Sequence, residues 1–207
     1  MTELRADLPP AGSGRLSGPE RRRQLLETAR LTFARRGFHE TSMNEIASQA
    51  GVTKPVVYQR FNSKRDLYRA VLEDIGERLR AEVIESAARA VSPREQVEAG
   101  FSAYLEFVKE DPEGFRLLFS GVNREDSEWA AIATSVEQSV AEGIAALIDV
   151  DGMSHSHKQA LAFGVVGMAE GMVRFWQSGG NSELELDDLV RDLTTLAWVG
   201  LRGLEAP

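Results

Sequence analysis

The sequence predicts an all-α fold of about nine helices, and three observations lead there. Stretches that alternate apolar and polar residues, the mark of half-buried strands, are nearly absent. Apolar residues recur instead three and four positions apart almost everywhere. Cap residues, glycines and prolines then cut that pattern into segments of helical length.

Residues 1–18 are charged and rich in Gly and Pro, and read as a disordered arm rather than a signal peptide. The first helix is expected from Pro19 or Glu20 to Arg36, with Leu25, Ala29 and Phe33 on one face and Gly37 as its C-terminal cap. Thr41 and Ser42 are candidate N-caps for a short second helix, whose buried stripe is Met43, Ile46, Ala47 and Ala50; Gly51 ends it. Thr53 caps a third helix. Pro55 falls in its first turn, where its missing N–H costs no intrahelical bond, so this proline starts a helix rather than breaking one. Asn62 to Lys64 close the third helix and cap a fourth through about Ala88, with Leu67, Val71, Ile75 and Leu79 at every fourth position.

Further helices are expected near 93–109, 112–120, 125–149, 155–178 and 185–204. They are separated by breaks at Asp111-Pro112, Gly121 to Asn123, Asp149 to Gly152 and Ser178 to Asn181. This gives a head over 19–65 and a second domain over 66–207, with the fourth helix linking the two. The last two helices are apolar on two sides: Leu189, Leu193, Leu196 and Gly200 on one, Val190, Ala197, Leu201 and Leu204 on another. A helix apolar on two sides is buried on two sides.

The chain has 207 residues, 43% of them hydrophobic, which suffices for a real core. The absence of cysteine excludes disulfides and thiolate metal sites and fits a cytoplasmic setting. The longest apolar stretch, Ala160 to Val173, contains Glu170 and falls short of the roughly 18 residues a membrane span needs, so no membrane partner is expected. The net charge of −8 divides unevenly: residues 1–65 carry 12 Lys/Arg against 6 Asp/Glu, or +6, and the remainder carries −14. A basic head on an acidic protein is one footprint of nucleic-acid binding.

The second helix, the Gly51 turn and the third helix form a helix-turn-helix, in which the later helix enters the major groove. At 100° per residue, Val57 and Phe61 point toward the head's core, while Lys54, Pro55, Tyr58 and Gln59 face outward. Gln59 can present its amide to adenine, Lys54 can reach guanine or phosphate, and Pro55 with Val56 can touch a thymine methyl. Tyr58 suits a phosphate. Ser42, Thr53 and Lys64 sit at helix starts, where anionic phosphate is favoured, and Asn44 is a second candidate base reader. Arg60 lies toward the flank, for phosphate or an ion pair.

The run from Arg21 to Glu73 resembles the amino-terminal domain of the TetR family of transcriptional regulators. The likeness rests on Gly37-Phe38, Thr41-Ser42, Ile46-Ala47, Ala50-Gly51-Val52 and the pattern Tyr58, Phe61, Ser63-Lys64. It implies a homodimer on an inverted-repeat DNA operator, with a divergent ligand-binding domain behind the head. It carries DNA contacts onto Ser42, Asn44, Thr53, Lys54, Pro55, Val56, Tyr58, Gln59 and Lys64. Val56 departs from the small or polar residue common there, so any base contact it makes is apolar.

The resemblance further implies that the last two helices pair with their copies, through Gly164, Gly167, Gly171, Leu189, Leu193, Leu196 and Leu201. Glu170 and Arg174, four apart, are expected to form a helix ion pair. An effector cavity is expected in the second domain, with Phe101, Tyr104, Leu105, Val108, Phe115, Phe119, Trp129, Phe163 and Trp176 as candidate lining. Two stretches, "FVKEDPEGFRLLF" and "GVVGMAEGMVRFW", look similar to acyl-CoA-responsive regulators of fatty-acid synthesis, which implies a small apolar effector, acyl-CoA or fatty acid, in an aromatic, acid-poor tunnel. His155 and His157 diverge by 200° on a helix, so no metal site is expected. No catalytic constellation or cofactor motif is present, and the expected function is a ligand-responsive regulator, a repressor, rather than an enzyme. The rival readings are an all-α carrier or enzyme and a protein–protein adaptor.

Overall fold

The computed structural model describes residues 16–119, 126–178 and 184–202, and the side chains among them through Gly200. Most of the N-terminal arm, the Gly121 to Asn123 break, part of the break after Ser178, and the side chains of Leu201 and Leu204 lie outside the described residues.

The head comprises α1 (Gly18–Glu40), α2 (Met43–Gln49) and α3 (Lys54–Tyr58). Ser17 opens α1 through a capping box with Glu20. Inside α1, Gly37 leaves helical geometry at φ 78°, and Gly51 turns the chain between α2 and α3 at φ 65°. Both angles lie in the left-handed region, which glycine enters without a Cβ penalty. Ser42 caps α2 by accepting from the Glu45 N–H. Thr53 stands at the N-cap of α3, but its side chain makes no cap bond. Gln24 donates to the Ala50 carbonyl at 3.1 Å and Thr32 to Gln49 at 2.8 Å, pinning α2 against α1. Val57 and Phe61, 0% and 2% exposed, plug α3 into this unit.

Helix α4 (Lys64–Arg89) starts at the Ser63 cap and runs out of the head into the second domain. There it packs with α5 (Pro93–Glu110), α6 (Pro112–Phe119), α7 (Ser127–Leu147), α8 (His155–Gln177) and α9 (Leu186–Arg202). The expected stripe Leu67, Val71, Ile75 and Leu79 is buried. Among the described residues there is no strand, and no helix is long and apolar enough to cross a membrane.

Two joints fasten the head to the second domain. The first is aromatic: Phe33 and Phe38 of α1 meet Tyr68 of α4 at 4.8 and 5.1 Å between ring centroids, and Tyr68 meets Trp129 of α7 at 4.9 Å. The Arg65 guanidinium covers Trp129 at 4.5 Å and pairs with Asp126 and Glu128 at the start of α7. The second is ionic. Asp111, between α5 and α6, pairs with Arg30 of α1, and Arg78 of α4 lies 3.6 Å from its other oxygen. Glu27 accepts from Arg30 at 2.7 Å, and that bond holds its carboxyl below the usual range despite partial burial.

Helix α9 is apolar on two sides, with a different division from the expected one. Leu189, Val190, Leu193 and Ala197 are 1–7% exposed and face the protomer's own core, where α9 packs on α5. Leu196 and Val199 point outward, 60% and 65% exposed. Leu189 and Leu193 are therefore core residues rather than docking residues, because the helical phase places them on the inward arc.

Candidate functional site

The outer surface of the helix-turn-helix carries exposed Ser42 and Asn44 at the start of α2, and exposed Thr53, Lys54, Pro55, Tyr58 and Gln59 along α3. Tyr58 is 42% exposed although it neighbours fully buried Val57. The Lys54 ammonium lies 5.7 Å from the Tyr58 ring centroid, so cation and phenol project together. Val56 is half-buried. Arg60 folds back toward the start of α1, its guanidinium nitrogens beside Gly18.

Lys64 is placed differently from the expectation of a phosphate contact. Its ammonium donates to the carbonyls of Phe38, His39 and Thr41 at 2.7, 3.1 and 2.9 Å, and lies 4.5 Å from the Phe38 ring centroid. All three of its protons are spent on the end of α1. Lys64→Met should therefore lower stability by about 2 kcal/mol, the scale of bonds to a charged donor. The salt dependence of DNA binding should keep its slope, whereas losing a phosphate contact would reduce it by about one. A thermal melt and a salt titration check the two halves.

The second domain holds a cavity of about 510 Å³ between α4, α5, α7 and α8, closed on one side by Trp198 of α9. Helices α4 and α5 meet at one end, as do α7 and α8, so Val91, Pro93, Val150 and Met153 mark the end far from the head. Leu79, Tyr104, Phe119, Glu137 and Glu170 mark the near end. The walls between are aliphatic. A cavity of this volume suits a small molecule.

Of the expected lining, Phe101, Tyr104 and Phe119 face the cavity. Leu105 and Val108, 0% and 1% exposed, turn into the core, one residue farther round α5 than the cavity face of Val97, Phe101 and Tyr104. Phe115 packs behind the wall, edge-on to Tyr104 at 5.8 Å. Trp129 belongs to the joint with the head, Trp176 packs half-buried against the core, and Phe163 is 44% exposed on the outer face of α8. The cavity is also not acid-poor: Glu137, Glu170 and Asp149 line it, with no lysine or arginine among its lining residues. Burial, then the charges of Glu170 and Glu137, push the Tyr104 hydroxyl well above the usual phenol range. Glu170, expected simply as the ion-pair partner of Arg174, is thus part of the cavity.

The outer face of α8 and α9 is apolar and open. Phe163 and Phe175 are 44% and 56% exposed, and a Cβ built on Gly164, Gly167, Gly171 or Gly200 would meet nothing within 4 Å. With Leu196 and Val199 these residues form the exposed apolar face of the second domain.

A helix-turn-helix head fastened to a helical domain with a ligand-sized cavity defines a DNA-binding transcriptional regulator. Comparison with known proteins gives the same class. The profile described as bacterial regulatory proteins, tetR family, matches residues 25–71, and that of a tetracyclin repressor-like C-terminal domain matches residues 93–200. The chain is 32% identical over 204 residues to the HTH-type transcriptional activator FasR of Mycolicibacterium smegmatis, covering 96% of this chain and 93% of that one. A TetR-like regulator from Rhodococcus sp. RHA1 is 31% identical, with a TM-score of 0.66 over 92% of this chain and all of its own (100%). FadR from Bacillus subtilis, solved with stearoyl-CoA, shares the fold at 15% identity and a TM-score of 0.66, over 84% of this chain and 96% of that one. The chain belongs to the TetR family.

Proposed function

We propose that the protein binds an inverted-repeat DNA operator as a homodimer and changes its DNA affinity when an acyl-CoA effector fills the cavity. The observation that carries this reading is the split of α3 into a buried anchor, Val57 and Phe61, and an exposed face of Lys54, Pro55, Tyr58 and Gln59. On that face Gln59 and Lys54 read base edges, Pro55 and Val56 offer apolar contact, and Tyr58 takes a phosphate, with Ser42, Asn44 and Thr53 alongside. The open apolar face of α8 and α9 supports self-association. The relationship to FasR, the stearoyl-CoA in FadR and the aliphatic walls of the cavity support the effector class. An effector that binds one spacing of the two heads better than another shifts the population toward it. In this reading the protein acts in the cytoplasm, where the DNA is.

Tyr58→Phe combined with Gln59→Ala should weaken binding to the protein's own promoter region by about tenfold to a hundredfold in a mobility shift, on the scale of one base contact and one phosphate contact. Unchanged binding would move the reading surface off α3. An all-α carrier or enzyme would give no sequence-specific shift at all. The sequence-level expectation is a repressor, while the FasR relative is described as an activator. Transcription from the bound promoter with and without the protein reads the sign.

A further inference from the structure

Tyr104 is 8% exposed, lines the cavity, and its hydroxyl has no hydrogen-bond partner among the described residues. A phenol in that state costs about 1–3 kcal/mol, a cost that phenylalanine at the same place would not carry. The hydroxyl lies where the charges of Glu137 and Glu170 act on it, with Arg174, exposed one turn past Glu170, opposing them in part. Tyr104, Glu137 and Glu170 thus gather at the head-proximal end, separated from Gln96 and Asp149 at the far end by a lining mostly of valine, isoleucine and leucine.

We propose that this end is a subsite for an uncharged polar group on an aliphatic chain, one that accepts a hydrogen bond from the Tyr104 hydroxyl and donates one to a glutamate. A hydroxyl or an amide meets both requirements. A free carboxylate could accept from the Tyr104 hydroxyl but has no proton to donate to a glutamate, and it would stand beside two like charges with no lysine or arginine in the lining. The inference rests on the reading of this cavity as the effector site and sharpens it. In an acyl-CoA the uncharged thioester carbonyl can accept and a nearby amide N–H can donate, whereas the corresponding fatty acid has no donor.

Calorimetric titration of the full-length protein with dodecan-1-ol, dodecanamide and dodecanoate at pH 7.5 tests it without DNA. The alcohol and the amide should bind at least about tenfold more tightly than the acid, the ratio that one unmade charged contact produces. Glu137→Gln with Glu170→Gln should bring the acid up toward the other two. Tyr104→Phe should weaken the alcohol and amide about fivefold, one ordinary hydrogen bond, and leave unchanged the acid, which Glu137 and Glu170 keep from that end. Equal or tighter binding of dodecanoate by the wild-type protein, or of none of the three, overturns the subsite. An intact preference with no effect of acyl-CoA on promoter binding leaves the subsite standing and overturns the acyl-CoA reading alone.

Discussion

Leu196→Glu should yield a monomer that folds normally and has lost most of its affinity for an inverted-repeat site. The side chain is 60% exposed in the protomer, so a glutamate there removes little internal packing, and glutamate is a good helix former. In a dimer docked through the outer face of α8 and α9 the same residue would sit beside Val199, the glycine row of α8 and their copies. Two carboxylates would then be buried near the two-fold axis without partners. Losing the second head removes the gain from tethering two half-site contacts, about a hundredfold to ten-thousandfold in affinity. Light scattering and a mobility shift on the same preparation report mass and affinity, and an unchanged melting temperature shows that the loss is one of assembly. A variant that remained dimeric would place the interface elsewhere.

Asp111→Ala should destabilise the protein by about 3–5 kcal/mol in urea denaturation. The Asp111 side chain is 9% exposed and its Arg30 partner 14%. One carboxylate holds Arg30 of the head, approaches Arg78 of α4, and accepts from the Gly114 N–H at 2.8 Å to start α6. Alanine removes all of these and leaves Arg30 with Glu27 alone, and Glu27 is 53% exposed on its side chain. Asp111→Asn keeps an acceptor for the Gly114 N–H and loses the charge, so it should cost clearly less. Equal losses in the two variants would assign the effect to the ion pair and not to the helix start.

The local rules carried far along this chain. The caps at Ser42 and Ser63, the proline at the start of α3, the glycine break after Arg36 and the spacing of Leu67 to Leu79 are decided within a few residues, and the sequence states them. Where the reading of the candidate site departed from the structure, the deciding partner was distant in sequence. Lys64 reaches carbonyls 23–26 positions away, and Trp129 meets Tyr68 across two intervening helices. Amphipathic periodicity says that Leu193 and Leu196 lie on different arcs of a helix, yet both arcs are apolar, so it does not say which one meets α5. The cavity's acidic end was missed because Glu137 and Glu170 each sit in an ordinary helical pattern, and only packing turns both toward Tyr104. A tyrosine among the aliphatic positions of α5 was the one local signal.

Helix α4 spans 26 residues, so it is a rod of about 39 Å. Its first two turns are tied to the head through Lys64 and Tyr68, while Leu79, Val83 and Ala87 form part of the cavity wall. The cavity wall and the mount of the helix-turn-helix head are thus opposite ends of one helix, with no loop between them. A tilt of that helix at the cavity would be carried to the head without a flexible joint between them. In a two-fold pair the displacement would count twice, so the fit to two grooves of fixed spacing would magnify what happens at a single side chain.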